Sequence, residues 1–165
     1  MRAFIAIELP QDIKDHIARL QARLKRSGAD AKWVSPSNMH LTLKFLGDID
    51  ENTKDLVSGA ICQAGESSPD FVIKLGSIGA FPSKQSPRVI WMGLSKGHEQ
   101  AKSLVDQLEN SLEKIGIAKE TRQFSSHITI ARIRSSKNIS QLARDLCEEN
   151  NVKTQYSIYF CNSFS

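Results

Sequence analysis

Apolar and polar positions along the chain follow two periods, and each change of period marks a predicted element. Residues 3–9 alternate and end at Pro10, which predicts a strand. After Pro10, apolar residues recur at helical spacing up to Gly28, which predicts a helix ended by glycine. The same patterns predict strands at 39–47, 71–78, 89–94, 124–133 and 156–161, and helices at 52–64, 101–115 and 138–149.

The predicted elements follow the same order in the two parts of the chain. Each part has the order strand, helix, histidine-containing strand, helix, strand, which indicates an internal structural repeat of about 1–80 and 88–165. We therefore expect an α+β fold in a single bilobed domain over 1–165. Two halves related by a pseudo-twofold axis would each carry an antiparallel sheet flanked by helices, with a groove between them.

Composition is that of an ordinary globular protein with a bias toward basic residues. The 165 residues are 40% hydrophobic and 24% charged, enough to bury a core without disulfides or metals. No apolar run approaches the roughly 18 residues that cross a bilayer, so no membrane span is expected. The net charge of +4 suits an anionic partner, and five basic residues against one acid lie between 119 and 137, around His127.

The cysteines bear on the cellular compartment. Cys62, Cys147 and Cys161 are an odd number without CxxC spacing, and each falls within an apolar pattern. We interpret them as buried free thiols of a protein in a reducing environment, which predicts a cytoplasmic location.

The strongest chemical signal is a pair of His-x-Thr tripeptides, at His40 and at His127. With four histidines and five threonines in the chain, chance predicts roughly 0.1 such tripeptides. The two histidines are 87 residues apart (127 − 40) and occupy matching places in the predicted repeat. Because side chains alternate across a strand, His40 shares a face with Thr42, and His127 shares a face with Thr129.

The same alternation assigns the neighbours of the two pairs to a face. Lys44 shares the parity of His40 and is a candidate phosphate contact, whereas Phe45 belongs to the opposite, apolar face. Arg132 is an odd number of residues from His127 and would point to the back unless the strand bulges or ends. For both basic residues a solvated surface charge is the alternative.

Two histidines that act on one scissile group suit general acid–base catalysis. One accepts a proton from the nucleophile while the other protonates the leaving oxygen, and threonine hydroxyls can donate to an anionic phosphate. This chemistry fits phosphoester cleavage without a metal. A metal site is one alternative, although no cysteine or second histidine stands beside either motif. A non-catalytic module that binds a nucleotide or an RNA end is another.

The chain resembles the bacterial and archaeal 2'-5' RNA ligase family, whose members are also named RNA 2',3'-cyclic phosphodiesterases. This family belongs to the two-histidine phosphoesterase superfamily. The resemblance covers nearly the whole chain. Its most similar segments are 1–10, 33–36, 40–47, 81–82, 87–91 and 127–132.

The resemblance implies a role for each motif residue. His40 would donate a proton to the leaving ribose oxygen, His127 would activate water, and Thr42 and Thr129 would bind the phosphate. The expected product is a 2'-phosphomonoester, and no metal or other cofactor is expected. The expected substrates are RNA ends or small nucleotides that carry a 2',3'-cyclic phosphate. We expect the protein to be a monomer. Ligation of such an end to a 5'-hydroxyl in a 2'-5' linkage is an alternative. Ser126 stands where the family has proline, which predicts a looser approach to the second motif.

Overall fold

The computed structural model describes residues 1–149 together with 158 and 159, and in this part of the chain two antiparallel sheets pack with four helices. The helices are α1 Gln11–Leu24, α2 Glu51–Glu66, α3 His98–Glu113 and α4 Ile139–Glu149. The strands are β1 Arg2–Glu8, β2 Ala31–Trp33, β3 His40–Asp48, β4 Val72–Pro82, β5 Pro87–Lys96, β6 His127–Ile133 and β7 Ile158–Tyr159.

The smaller sheet pairs β1 with β3, and the larger has the strand order β2-β6-β5-β4-β7. Every pairing is antiparallel, so the predicted α+β class with two antiparallel sheets is confirmed. The sheets do not divide the chain at the predicted repeat boundary, because β2 and β4 pair with β6 and β5. The repeat of about 1–80 and 88–165 stays a prediction.

Element boundaries differ from the predicted ones where turn residues take part in pairing. The segment between the strands predicted at 71–78 and 89–94 is a hairpin, because β4 continues to Pro82 and β5 begins at Pro87. Strand β6 begins at His127 and not at residue 124, and the three-residue β2 is too short for an alternating pattern to predict. Of the predicted strand at 156–161, only β7 lies among the described residues, where it pairs with β4.

One continuous cluster of buried side chains joins both sheets. Ile5 and Leu41 enter it from the smaller sheet, Ile90 and Ile128 from the larger, and Leu108 from α3, and none is more than 4% exposed. Because the cluster is shared, the buried faces of β3 and β6 are both fixed by hydrophobic packing. Within the described residues, no helix is both long and apolar enough to cross a membrane.

The four helices form where the apolar periodicity predicts them, with ends that differ by a few residues. Ile13, Ile17 and Leu20 of α1 are buried at the expected spacing, and the Asp50 carboxylate caps α2 by accepting a hydrogen bond from an amide 2.7 Å away. The prediction of buried cysteines is wrong for Cys62 and Cys147, which are exposed because they lie on the solvent sides of α2 and α4. Cys161 lies outside the described residues.

A buried glutamine on α1 supports the second histidine strand. Gln21 is 2% exposed, and its side-chain amide donates to the backbone oxygens of Val34, at 2.8 Å, and Ile130, at 2.9 Å. The Ile130 oxygen also accepts from the Val34 amide at 3.0 Å. Gln21 therefore ties α1 to β6 three residues after His127.

We predict that Gln21→Met lowers the free energy of unfolding by about 1–3 kcal/mol, because it removes two hydrogen bonds of a buried amide and leaves the Val34 carbonyl without this partner. Chemical denaturation measures the change. Gln100→Met, at an exposed position of α3, is the control and should change stability by less than about 0.5 kcal/mol. Equal stability of the two variants would contradict the support that we assign to Gln21.

Candidate active site

The first histidine motif lies at the start of β3, with β1 alongside. The His40 ring is half-buried and stacks on Phe4, with ring centroids 4.7 Å apart and planes 24° apart. Glu8 is the residue opposite His40 in the β1–β3 register, and its carboxylate pairs with Lys14 of α1. His40 therefore has an aromatic ring on one side and an ion pair beside it.

These surroundings act on the protonation of His40 in opposing directions. Burial lowers the pKa of His40 below the ordinary 6.5, and Lys14 lowers it further. A hydrogen bond to the backbone of Asn38 and the negative charge of Glu8 both act to raise this pKa. Burial is the largest of these effects, so the neutral form of His40 predominates at neutral pH in the unliganded protein.

The second histidine has a defined tautomer. His127 Nδ1 lies 2.8 Å from the backbone oxygen of Ser125. A carbonyl oxygen can only accept, so Nδ1 carries a hydrogen, and in neutral His127 the free lone pair is on Nε2. The edges of Phe81 and Trp91 surround the ring at centroid distances of 5.5 and 6.3 Å.

The structure brings the two motif strands into contact. Strand β3 contacts β6, and Thr42 and His127 line the same cavity of about 600 Å³. Strand pairing is unbroken from His40 to Thr42 and from His127 to Thr129. Each threonine is two residues from its histidine and therefore lies on the same face of the strand. His40 and Thr129 are not among the residues that line this cavity.

A β-bulge follows each motif at the same position. In β3, Leu43 has no partner, because Thr42 pairs with Ala6 and Lys44 pairs with the adjacent Ile5. In β6, Ile130 has no partner, because Thr129 pairs with Trp91 and Ala131 pairs with the adjacent Ile90. Each bulged residue is buried, and so is the residue after it. The bulges reverse the alternation, so parity beyond them is opposite to the prediction.

The bulge corrects the prediction for Lys44 and Phe45. Lys44, expected on the histidine face, is buried at 8% exposure, whereas Phe45, expected on the apolar back, is 70% exposed. The Phe45 ring lies 6.2 Å from that of Phe4, which itself stacks on His40. Phe45 is therefore an aromatic residue of the histidine face.

The same effect places Arg132 on the face of the second motif. Arg132 pairs with Val89, and Thr129 pairs with Trp91, which lies two residues along β5 from Val89. Arg132 therefore shares the face of Thr129, and it is exposed. The β-bulge that the prediction allowed as an exception is present in β6. Within the described residues of β3 and β6, the Arg132 guanidinium is the only cation that follows either motif on its exposed face.

Lys44 is fully occupied by partners. Its ammonium nitrogen lies 2.8 and 2.7 Å from the two Glu109 carboxylate oxygens and 2.9 Å from the Ala118 oxygen. The Glu120 amide also donates to Glu109, at 3.3 Å. Three acceptors satisfy the three ammonium protons, which disfavours Lys44 as a phosphate ligand and makes it a link between β3, α3 and the segment before β6.

Among the described residues, no three His, Cys, Asp or Glu side chains cluster closely enough to hold a metal ion. Each catalytic candidate instead has an aromatic neighbour and a backbone hydrogen-bond partner. The arrangement offers two imidazoles, two hydroxyls and one guanidinium, which are groups that move protons and bind anions.

Comparison with known proteins gives the family. The family described as LigT like Phosphoesterase matches residues 7–91, which include the first motif. A Methanothermobacter thermautotrophicus protein named RNA 2',3'-cyclic phosphodiesterase is 32% identical over 93% of this chain and 82% of its own length. A Thermotoga maritima protein of the same name is 36% identical over 81% of this chain and 71% of its own. This chain belongs to the LigT-like phosphoesterase family.

A solved structure supports the same assignment for this LigT-like phosphoesterase. The crystal structure of E. coli LigT complexed with 3'-AMP superposes with a TM-score of 0.67 and 29% sequence identity. The match covers 82% of this chain and 75% of E. coli LigT. This similarity agrees with the α+β fold, and the protein is a phosphoesterase.

The sequence did not reveal how this LigT-like phosphoesterase holds the residue before its second motif. Ser126 is buried, and its hydroxyl lies 2.7 Å from Nδ1 of His98, at the start of α3. The His98 ring also lies parallel to that of Phe124, at 6.3 Å. A side-chain hydrogen bond anchors the segment before the second motif, and the looser approach expected at Ser126 stays a prediction.

For the buried ion pair we predict that Lys44→Met lowers the free energy of unfolding by about 3–5 kcal/mol, because the Glu109 carboxylate loses its cationic partner in the interior. The double variant Lys44→Met/Glu109→Leu should recover most of that loss. Denaturant titration of the single and double variants measures both effects.

The matched control is Lys54→Met, which breaks the exposed Lys54–Glu51 pair with a nitrogen–oxygen distance of 3.2 Å. We expect it to cost less than about 1 kcal/mol. If Lys44→Met were as mild as Lys54→Met, the burial and pairing that we assign to Lys44 would be wrong.

Proposed function

We propose that this phosphoesterase hydrolyses 2',3'-cyclic phosphates at RNA 3' ends to 2'-phosphomonoesters, without a metal or other cofactor. The observation that carries the proposal is the matched placement of two His-x-Thr strands, in contact with each other and each with its histidine and threonine on one exposed face. In this reaction water adds to phosphorus, the bond from phosphorus to the ribose 3' oxygen breaks, and one proton moves at each end.

His127 is the proposed general base. Its Nδ1 hydrogen is committed to the Ser125 oxygen, which leaves Nε2 free to take a proton from the attacking water. Ser126, anchored by His98, holds the segment that carries this carbonyl. The imidazole is therefore oriented before substrate binds, which is the condition for efficient proton transfer.

His40 is the proposed general acid for the leaving 3' oxygen. Burial lowers its pKa in the unliganded protein, so it must gain its proton on or before binding of the substrate. A bound anionic phosphate favours the charged imidazolium and raises the pKa of His40, as Glu8 already does. Substrate binding and protonation of the acid are thus coupled.

The anionic phosphate has donors on the same faces. The hydroxyls of Thr42 and Thr129 are the proposed donors to the non-bridging oxygens, and the exposed guanidinium of Arg132 supplies positive charge beyond Thr129. These groups are suited to the charge that develops at phosphorus during attack. In this scheme the side chains supply all the proton transfers and charge stabilisation.

The relatives support the substrate class. Proteins named RNA 2',3'-cyclic phosphodiesterase match over most of this chain, and E. coli LigT has been solved with 3'-AMP. We therefore propose RNA ends and small nucleotides with a 2',3'-cyclic phosphate as substrates. Binding should weaken as salt rises, because the recognised group is anionic.

The test is incubation with a 2',3'-cyclic nucleotide and with a short RNA bearing that end, in excess EDTA, with the phosphate position identified by ³¹P NMR. We expect a 2'-phosphate product. His40→Ala and His127→Ala should each lower kcat by at least about 10²-fold, the usual loss when a general acid or base is removed.

The control variant is His16→Gln, which changes a histidine of α1 outside both motifs and should keep the wild-type rate. A wild-type rate in either motif variant would refute the catalytic assignment. No product from folded protein, with retained nucleotide binding, would favour a binding module, and a 2'-5' linked product with 5'-hydroxyl RNA would favour ligation.

A second prediction concerns pH. The rate should follow a bell-shaped curve, since one histidine must be neutral and the other protonated. Glu8→Gln removes a negative charge beside His40 and should lower its pKa further, whereas Lys14→Met should raise it. ¹H–¹⁵N NMR titration of the imidazoles measures both shifts, and the limb of the rate profile that follows His40 should move in the same directions.

The opposite signs of these two shifts make the test specific. General loss of structure would move the pKa of His40 in the same direction in both variants, toward the ordinary value for histidine. Movement of the His40 pKa in one direction in both variants would therefore contradict the electrostatic account.

A further inference from the structure

The segment before β6 has a single buried anchor. Residues 121–126 form neither helix nor strand, and they lead directly into His127 at the first position of β6. Of residues 113–126, all of which the structure describes, only Ser126 is buried, at 7% exposure. The conformation in which the second motif begins therefore depends on what holds Ser126.

His98 is the partner of the Ser126 hydroxyl, with Nδ1 and Oγ 2.7 Å apart. Strand β5 pairs with β6 as far as His127, and α3 begins two residues after β5 ends, so His98 lies beside the start of β6. Gly97, directly before His98, packs closely on β4, since a Cβ atom on Gly97 would come within 2.7 Å of the Val72 oxygen. The start of α3 therefore gives His98 a fixed position.

The hydrogen bond between His98 and Ser126 can anchor the segment in either protonation state of the imidazole. A serine hydroxyl donates to an Nδ1 without hydrogen and accepts from an Nδ1 that carries one. Ser126 is buried and its hydroxyl is taken up by His98, so this hydroxyl does not reach a substrate at the exposed motif face. Any effect of His98 on the reaction therefore acts through the backbone around Ser126.

Ser126 is joined covalently to the carbonyl that orients His127. The Ser125 oxygen, which lies 2.8 Å from His127 Nδ1, belongs to the peptide plane that includes the Ser126 nitrogen. Holding Ser126 thus fixes the direction of this oxygen. The contact between His127 and Ser125 is itself exposed, and an exposed hydrogen bond exchanges readily for bonds to water. It therefore needs support from elsewhere to keep His127 in one tautomer.

We propose that His98 is a positioning residue for the general base and that it acts through this one hydrogen bond. By holding Ser126 it keeps the Ser125 carbonyl in place, and this carbonyl keeps the hydrogen of His127 on Nδ1, which leaves Nε2 free for the attacking water. A base oriented by a further group is a recurring arrangement in enzymes. The effect of His98 on the rate rests on the proposed function, whereas its effect on the tautomer of His127 requires no reaction.

Two substitutions of His98 separate the hydrogen bond from the ring that lies parallel to Phe124. His98→Phe keeps a ring and loses the bond, and the His98 side chain is 39% exposed, so phenylalanine fits without a change in the core. His98→Asn loses the ring and keeps a hydrogen-bonding atom near the position of Nδ1. A role of the bond and a role of ring packing therefore predict opposite results for these two variants.

With a 2',3'-cyclic nucleotide as substrate, His98→Phe and Ser126→Ala should each lower kcat by about 10- to 100-fold with little change in KM, because a misplaced base costs rate and not binding. His98→Asn should largely retain the wild-type kcat. Since both substitutions remove the same bond, His98→Phe/Ser126→Ala should be no slower than the slower single variant.

The second readout is the tautomer of His127, measured by ¹⁵N NMR of its imidazole in the unliganded protein at a pH where the ring is neutral. The hydrogen should be on Nδ1 in the wild-type protein and in His98→Asn. The form with the hydrogen on Nε2 should rise in His98→Phe and in Ser126→Ala. Gln100→Phe, at an exposed position two residues along α3, is the matched control and should change neither the tautomer nor kcat.

Three results would overturn the positioning role and leave the proposed function intact. They are a wild-type kcat in His98→Phe, an equal loss of kcat in His98→Phe and His98→Asn, and an unchanged tautomer in the slow variants. If the wild-type protein hydrolyses no cyclic phosphate, the proposed function fails, and the tautomer alone decides the role of His98. Loss of the Nδ1 hydrogen in His98→Phe would then support the role, and its retention would overturn it.

Discussion

Each histidine strand must bury one face in a core shared by both sheets while it presents histidine and threonine on the other. Leu41 and Ile128 lie within that core, and they fix which way the flanking motif residues point. Strand alternation is a rigid rule over these few residues, because a shift by one would send both motif side chains into the core. The rest of the site depends on this constraint.

The bulge after each motif is the complementary feature. It places two successive residues in the core and returns the next one, Phe45 or Arg132, to the exposed face. The same local geometry therefore adds an aromatic ring to one motif and a cation to the other. The two motifs share a scaffold, and each histidine has an aromatic neighbour and a backbone hydrogen bond, but only the second motif gains a cation. This difference fits distinct roles as acid and base.

Much of the fold and of the site could be predicted from the chain. The four helices and the paired motifs follow from periodicity and from a repeated tripeptide, both of which are local properties. The bulges could not be predicted, because Leu43 and Ile130 are apolar residues that fit an unbroken strand equally well. Their effect decides whether Lys44 binds phosphate or Glu109, and only the three-dimensional register reveals it.

Contacts between segments that are distant in the sequence could not be predicted either. The bond between Ser126 and His98 joins two elements that no pattern connects, and the same is true of the Gln21 amide and the Ile130 carbonyl. Both contacts support β6 close to His127. They show that the second motif depends on side chains whose roles are set by tertiary packing and not by spacing in the chain.

The central claim is that the two motifs act on one phosphate as a single unit. The most direct test is kcat for His40→Ala/His127→Ala beside the two single variants, since residues that act together are strongly non-additive. We predict that the double variant is about as slow as the slower single variant. A loss equal to the product of the two single losses would show that the histidines act independently and would contradict it.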